Sequence, residues 1–445
     1  MVHLTTALDA ASGVPLYEQL YRSLAAEMRT GAISAGTRMP GKRRLAAELS
    51  VSVNTVDAAY QMLAAEGYLE ARERSGFYVQ EYLALPERTE SAAPPQPEAA
   101  PAPEQPVRYD LSTRGVDPEL FPFRTWARLQ KELLYSSPEL LTHGDAQGDW
   151  ELRQALGEHL GLPAEWILCG NGASDLLFRL AGAVKPKRAL LTAPAFSEYE
   201  GALRPHQCQL DRFPLRAENG FCLTEEFLNW ITPETDLIFL CQPNNPTGRT
   251  TDRALLLCIL RRCRETKTIL ALDECFLDFV DMPEMLTMQG ELEGNPLVIF
   301  RAFTKFYGMA GLRLGYCLCG DRLLLEKMSQ SGPPWAVSSV AQAAGIAALK
   351  ETEYGARLRS LIGAQRPILT AGLKECGCRV IPGAANYLLF YYPDEQLGEK
   401  MKQKGVMLRD CRNYHGLKPG WYRVAVRTEK ENLRLLAVLK EVTGR

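Results

Sequence analysis

The sequence predicts two folded bodies: a small N-terminal helix-turn-helix domain closed by a β-hairpin, and a larger α/β domain built on a buried, mostly parallel sheet. Three observations predict this. The chain has 445 residues, more than one hydrophobic core usually organises, so two or three domains are expected. A stretch rich in Pro, Ala and Glu, LALPERTESAAPPQPEAAPAPEQPV, runs from about Leu83 to Val107 and has almost nothing to bury. Downstream of it, helical patterns alternate with short apolar runs, while upstream the periodicity is helical and then switches to a hairpin.

These changes of pattern set the expected boundaries at residues 10–81 for the front domain, 82–107 for a linker and 108–445 for the remainder. A linker of this composition is semi-rigid and extends at roughly 3 Å per residue. Hydrophobic residues make up 46% and charged residues 23%, with 51 basic against 53 acidic side chains. No bulk polyelectrolyte character therefore points to nucleic acid or membrane, and any DNA contact must come from a local patch. The 12 cysteines begin at Cys169, and the pairs Cys317/Cys319 and Cys376/Cys378 lack the spacing of zinc ribbons. Reduced structural thiols and no metal are expected. With no charged-and-apolar leader and no apolar run near about 18 residues, the expected location is the cytoplasm, without membrane association.

In the front domain, Leu16, Leu20, Leu24 and Met28 fall four apart and define one helical face ending at Gly31. A short helix from Lys42 to Leu49, a turn over Ser50 to Ser52 and a second helix from Asn54 to Glu66 follow, with Gly67 as the stop. Tyr68, Leu69 and Phe77 to Val79, with Gly76 between, predict a small hairpin. Two helices joined by a tight turn, the second opening on small polar residues, are what a major-groove reader needs. Lys42, Arg43 and Arg44, with Arg72 and Arg74 in the hairpin, supply a basic rim. Spacing alone fits a helical interaction domain equally well.

The residues themselves are more specific. MPGKRRLAAELSVSVNTVDAAYQMLAAEGYL, with PLYEQL at positions 15–20, resembles the GntR-type winged helix along its whole length. The resemblance implies that Arg43, Ser52, Asn54 and Thr55 face double-stranded DNA and that the hairpin is the wing. It also shows a departure: where the family usually has an arginine before the Asn-Thr pair, this chain has Val53.

In the large domain, RALLTAPAF, DLIFLCQPN, TILALDECF and PLVIFRAFTK are apolar on both faces, as strands of a covered parallel sheet are. Ligands bind at the carboxyl ends of such strands. Several chemically suggestive residues sit there. Lys305 lies just past PLVIF, where partial burial favours a neutral, nucleophilic amine. Asp273 ends another apolar run and is costly there without a cationic partner. Gly170 and Gly172 lie between a strand and a helix, so the amides of Gly172, Ala173 and Ser174 suit a phosphate at a helix N-terminus. Each of these alone has a bland reading, as solvated lysine, turn or loop.

Lys305 with Arg313 eight residues later, preceded by Asn245 in QPNNPTG 28 residues before Asp273, resembles the fold type I pyridoxal 5'-phosphate enzymes. The resemblance implies a type I transferase fold with a smaller C-terminal α+β subdomain, Lys305 and Asp273 as catalytic residues, and Lys305 holding the cofactor's aldehyde. It further implies that Asp273 partners the pyridine nitrogen, Asn245 the phenolic oxygen and Phe196 the ring face, with Thr304 and Arg313 completing the phosphate site. Two positions depart from the family: Phe276 replaces a tyrosine three residues after the aspartate, and His143 stands where a phosphate-reaching tyrosine is expected.

Near the C-terminus, Arg409 and Arg423 lie on separate elements joined by a turn with Asn413 and Gly416. From about Gly157 to Val442 the chain resembles histidinol-phosphate aminotransferase and, more closely, threonine-phosphate decarboxylase of cobalamin synthesis. There the resemblance implies that Arg423 holds a substrate α-carboxylate and Arg409 a substrate phosphate, with Arg427, Asn386 and Tyr387 nearby. The front third, including DLSTRGVDPELFPFRTWARL and HGDAQGDWELRQAL, instead resembles MocR-type regulators, in which a winged helix is fused to an aminotransferase-like domain. The expected function is a PLP-dependent transcription regulator that senses an amino compound. The alternative is an active decarboxylase or aminotransferase on a phosphorylated amino acid, and the two roles are compatible. A homodimer is expected.

Overall fold

In the computed structural model, residues 8–9, 14–72, 75–80, 109–112 and 144–444 are described. The linker, Arg74, His143 and the DLSTRGVDPELFPFRTWARL segment beyond residue 112 lie outside them. The chain divides into two units, Met1–Pro103 and Glu104–Arg445.

In the first unit, α1 (Leu16–Arg29), α2 (Lys42–Glu48) and α3 (Val53–Ala65) precede the hairpin of β1 (Leu69–Arg72) and β2 (Gly76–Val79). Leu20, Leu24 and Met28 are buried on one face of α1, as their spacing dictates, while Leu16 at the first position stays partly exposed. They close a core with Leu45, Val56, Tyr60, Leu63 and Val79. The Tyr60 hydroxyl donates to the Pro40 carbonyl at 2.9 Å, which fixes the segment entering α2 against α3. Helix α3 begins one residue earlier than Asn54 because Ser52 is its N-cap, its Oγ accepting from the Thr55 amide at 3.0 Å. Removing this cap in Ser52→Ala is expected to destabilise the unit by about 1 kcal/mol, read as a lower urea midpoint of its unfolding transition.

The second unit is built on a seven-stranded sheet in the order β4-β10-β9-β8-β7-β5-β6. These are β4 (Ile167–Gly170), β5 (Arg188–Ala193), β6 (Gln209–Pro214), β7 (Leu237–Cys241), β8 (Ile269–Asp273), β9 (Leu297–Ala302) and β10 (Gly315–Cys319). β10 runs antiparallel to both of its neighbours, β4 and β9, and the other pairs are parallel. The period of two is visible in β7: Ile238 and Leu240 enter the core on one face, Leu237, Phe239 and Cys241 that on the other. Helices cover both faces, which is why these strands read as unbroken apolar runs. On the first face pack Trp150–Leu160, Arg253–Thr266 and Ser339–Leu349; on the second, Gly172–Val184, Glu198–Leu203 and Arg322–Gln330.

A smaller α+β layer follows. Its four-stranded antiparallel sheet has the order β11-β12-β15-β14, formed by Arg379–Val380, Tyr387–Tyr391, Trp421–Ala425 and Arg409–Asp410. The long helix Thr352–Glu375 and the last helix Glu429–Thr443 pack on it around Leu369, Leu388, Val424 and Leu435. β3 (Tyr109–Asp110), at the start of the unit, pairs in parallel with β13 (Val406–Met407) and so ties its beginning to this layer. None of the twelve cysteines forms a disulfide. Among the described residues no helix is long and apolar enough to cross a membrane, and no cluster of metal-ligand side chains is found.

Candidate functional site

The strand ends of the large sheet converge on one cavity. Asp273 terminates β8, Asn245 follows β7, and Phe196 follows β5. Thr304 and Lys305 follow β9, and Arg313 precedes β10, whose opposite direction brings its start to the same edge. All six line the cavity, together with Ala173 and Ser174 at the start of the helix Gly172–Val184. Residues that are up to 140 positions apart (313 minus 173) are thus neighbours because a parallel sheet places every strand's end on one side.

Asp273 is 5% exposed. Its Oδ1 accepts from the Cys275 amide at 3.0 Å and its Oδ2 from the Tyr199 hydroxyl at 2.7 Å. Tyr199 is fully buried and stacked on Phe239, ring centroids 5.0 Å apart. Burial, and then the nearby Asp273 charge, push its hydroxyl well above the ordinary tyrosine range, so it stays a donor. Tyr199 was not singled out in the sequence. It stands three residues after Phe196, and nothing in that spacing ties it to a carboxylate 74 positions away. In Tyr199→Phe, cofactor binding is expected to weaken roughly tenfold, the loss of a hydrogen bond to a charged group of about 1.5 kcal/mol. Titration of the apoprotein against unchanged circular dichroism reads it.

Gly172 has φ +81°, and a Cβ there would stand 2.7 Å from Arg313 Nη2. Only glycine lets the guanidinium lie against the helix N-terminus. Arg313 itself has φ +59°, a left-handed conformation costly for a side-chain-bearing residue, and its Nη1 donates to the Ala310 carbonyl at 3.3 Å. Amide donors of Gly172, Ala173 and Ser174 beside the Arg313 guanidinium suit a phosphate dianion. A buried carboxylate, an amine, a flat ring and a phosphate cradle in one cavity fit pyridoxal 5'-phosphate, and on this donor set the residues present match the group. Phe276, in place of the family's tyrosine, lines the same cavity and packs edge-on against Tyr387 at 5.2 Å.

Asn245 is 1% exposed, and its Oδ1 accepts from Arg423 Nη1 at 2.8 Å. Arg423 is 3% exposed and also donates to the Tyr414 hydroxyl at 3.2 Å and the Ser112 carbonyl at 3.2 Å. It therefore reaches the cavity through Asn245. Arg409 lies directly opposite Arg423 in the register of β14 and β15, so both side chains leave the same face of the small sheet. Arg409 Nη2 donates to Asn413 Oδ1 at 3.2 Å, and its guanidinium lies 5.9 Å from the Tyr414 ring centroid. Asn386 (1% exposed) precedes β12 and accepts through its carbonyl from the Val426 amide at 2.8 Å, while Tyr387 donates to the Asn244 carbonyl at 2.8 Å. Arg427 is held at the Asp110 carbonyl, 3.3 Å away, and its own amide donates to Asn432 Oδ1 at 3.1 Å. Asn386, Arg409, Arg423 and Arg427 are not part of the cavity lining; of these, Arg423 touches a lining residue, Asn245.

In the first unit, Arg43, Ser52 and Asn54 are exposed and Thr55 is half-buried. The Ser52 and Thr55 hydroxyls bond each other at 2.8 Å. Much of the basic rim is internally paired: Lys42 with Asp57, Arg44 with Glu48 at 2.8 Å, Arg72 with Glu70 at 2.9 Å. Lys42 holds the Asp57 carboxyl below its usual range.

Residues 16–79 match the family of bacterial regulatory proteins, gntR family, and residues 116–439 match aminotransferase class I and II. The threonine-phosphate decarboxylase of Salmonella typhimurium is 39% identical over 307 residues, covering 66% of this chain and 81% of that protein. The histidinol-phosphate aminotransferase of Anaeromyxobacter sp. is 32% identical over 299 residues, covering 66% and 81%. Among solved structures, the histidinol-phosphate aminotransferase of Clostridium acetobutylicum superposes with a TM-score of 0.69 at 26% identity, covering 76% of this chain and 99% of that one. The L-threonine-O-3-phosphate decarboxylase of Porphyromonas gingivalis shares the fold at a TM-score of 0.65 and 23% identity, with 76% and 100% covered. The chain therefore belongs to the pyridoxal-phosphate-dependent aminotransferase class I and II family and carries a gntR-family DNA-binding domain at its front, the fused architecture of MocR-type regulators.

Proposed function

We propose that the chain is a transcription regulator that binds double-stranded DNA through its first unit and senses an amino compound at the cofactor site of its second. The fusion of a DNA-binding domain to a cavity lined by Lys305, Asp273, Asn245, Phe196 and Arg313 carries this reading. When bound, the cofactor supplies an electrophilic carbon and an electron sink for an amino compound. Lys305 anchors it. Asp273, oriented by Tyr199, keeps a proton at the ring nitrogen, and Arg313 with the Gly172–Ser174 amides fixes the phosphate. Arg423 takes the ligand's α-carboxylate as a two-pronged donor. A ligand that changes the balance between two packings of the regulator changes the population competent for DNA. The working form is a homodimer acting at the chromosome in the cytoplasm, its two-fold matching paired half-sites.

Arg409 and Arg423 favour a second reading, active chemistry on a phosphorylated amino acid. Two like charges directly opposite on neighbouring strands repel. A ligand carrying both a carboxylate and a phosphate relieves that repulsion, and the relatives named as acting on phosphorylated compounds agree with it. The test is to mix purified holoprotein with O-phospho-L-threonine and follow the cofactor's visible absorbance and CO2 release together. A spectral change without CO2 supports a sensor. Sustained CO2 release, absent in Lys305→Ala, makes the second unit a decarboxylase.

A further inference from the structure

The first turn of α3 carries an apolar side chain that the fold does not use. Among the described residues of the first unit, Tyr17 and Val53 are the only exposed large hydrophobics, at 39% and 43%. Val53 is the first residue of α3, immediately after the cap. Its neighbours narrow what this turn does. Ser52 and Thr55 are engaged with each other in the cap, and Val56 is buried in the core. Asp57 has its carboxylate on Lys42. The outward-facing groups left on the first turn are Val53 and the exposed carboxamide of Asn54. No Lys or Arg occurs anywhere in α3, whose sequence is VNTVDAAYQMLAA.

Base edges differ in what they offer such a surface. Guanine is read best by Arg or Lys on O6 and N7, and α3 has neither. An isopropyl group placed over guanine or cytosine leaves their polar edges without partners, which is unfavourable once water is excluded. The thymine 5-methyl is the apolar feature of the major-groove floor, and a carboxamide suits adenine N6 and N7.

We propose that Val53 is a specificity determinant that selects thymine through its 5-methyl group, with Asn54 reading an adjacent adenine. The inference rests on the DNA-binding reading above and deepens it. It assigns sequence preference to a residue that is 43% exposed and lies outside the first unit's core, and it predicts a half-site whose position under α3 is A·T.

The experiment begins with selection of random duplexes by the full-length holoprotein. Each thymine in the selected half-site is then replaced by uracil, which removes only the methyl group. One thymine is expected at which uracil weakens the native chain about fourfold, equivalent to about 0.8 kcal/mol. Val53→Ala should bind thymine and uracil versions equally. Val53→Arg is expected to move the preference at that base pair to guanine. Uracil effects that are absent, or that are the same size in Val53→Ala, overturn the proposal while leaving DNA binding intact. Failure to enrich any sequence overturns the DNA-binding reading itself.

Discussion

Lys305→Ala is expected to lose nearly all cofactor on exhaustive dialysis and to lower any turnover by roughly 10²–10⁴-fold, the usual effect of removing a group that both attacks and transfers protons. The site explains why the effect is so large and so local. Lys305 follows β9 by three residues, at the shared edge where Asp273 ends β8 and Asn245 follows β7, and it lines the cavity beside them. The phosphate cradle is made by other elements, the helix start at Gly172 and Arg313, so noncovalent affinity survives in part. The measurable signature is cofactor that binds in titration yet washes out, with the thermal transition of the apoprotein unchanged. Retention of cofactor through dialysis by the variant would show that another amine anchors it.

Arg423→Ala is expected to weaken binding of carboxylate-bearing ligands by about 2–5 kcal/mol, at least roughly thirtyfold. Arg423 is buried and holds Asn245 Oδ1 and the Tyr414 hydroxyl at once. Its loss leaves two oriented polar groups without their shared donor and, in the role proposed for it, also removes the ligand's fork. Arg423→Lys should not rescue, because a single ammonium cannot reproduce two parallel donors. Arg409→Ala behaves differently. It leaves the affinity for an unphosphorylated amino acid nearly unchanged and erases the preference for its phosphorylated counterpart. Competition between L-threonine and O-phospho-L-threonine for the holoprotein, followed in the cofactor's spectrum, separates the two arginines.

Much of this arrangement is legible in the sequence for simple reasons. A helix buries residues four apart, so Leu20, Leu24 and Met28 announce the first core. Strands covered on both faces are apolar throughout, so Asp273, which closes β8, stands out against its run. The convergence of Phe196, Asn245, Asp273 and Lys305 follows from the parallel sheet once the strands are placed. What the sequence hides depends on lateral register and rotamer. Tyr199 reaches Asp273 from another strand's connection, and the opposition of Arg409 to Arg423 is a product of strand pairing across a turn. The mutual bond of the Ser52 and Thr55 hydroxyls in the helix cap is likewise set by rotamer, and Ser52 stays exposed beside Val53 and Asn54.

Sensing by the second unit requires that ligand at the cofactor site change the affinity of the first unit for DNA. Its most direct test is the affinity of the full-length holoprotein for its selected operator, measured by fluorescence anisotropy at fixed salt with and without saturating O-phospho-L-threonine, for the native chain and Lys305→Ala. Coupling of about 1–3 kcal/mol predicts a shift in Kd of roughly 5–150-fold in the native chain and none in the variant. The same Kd with and without a ligand that visibly occupies the cofactor site would show that this site does not control DNA binding.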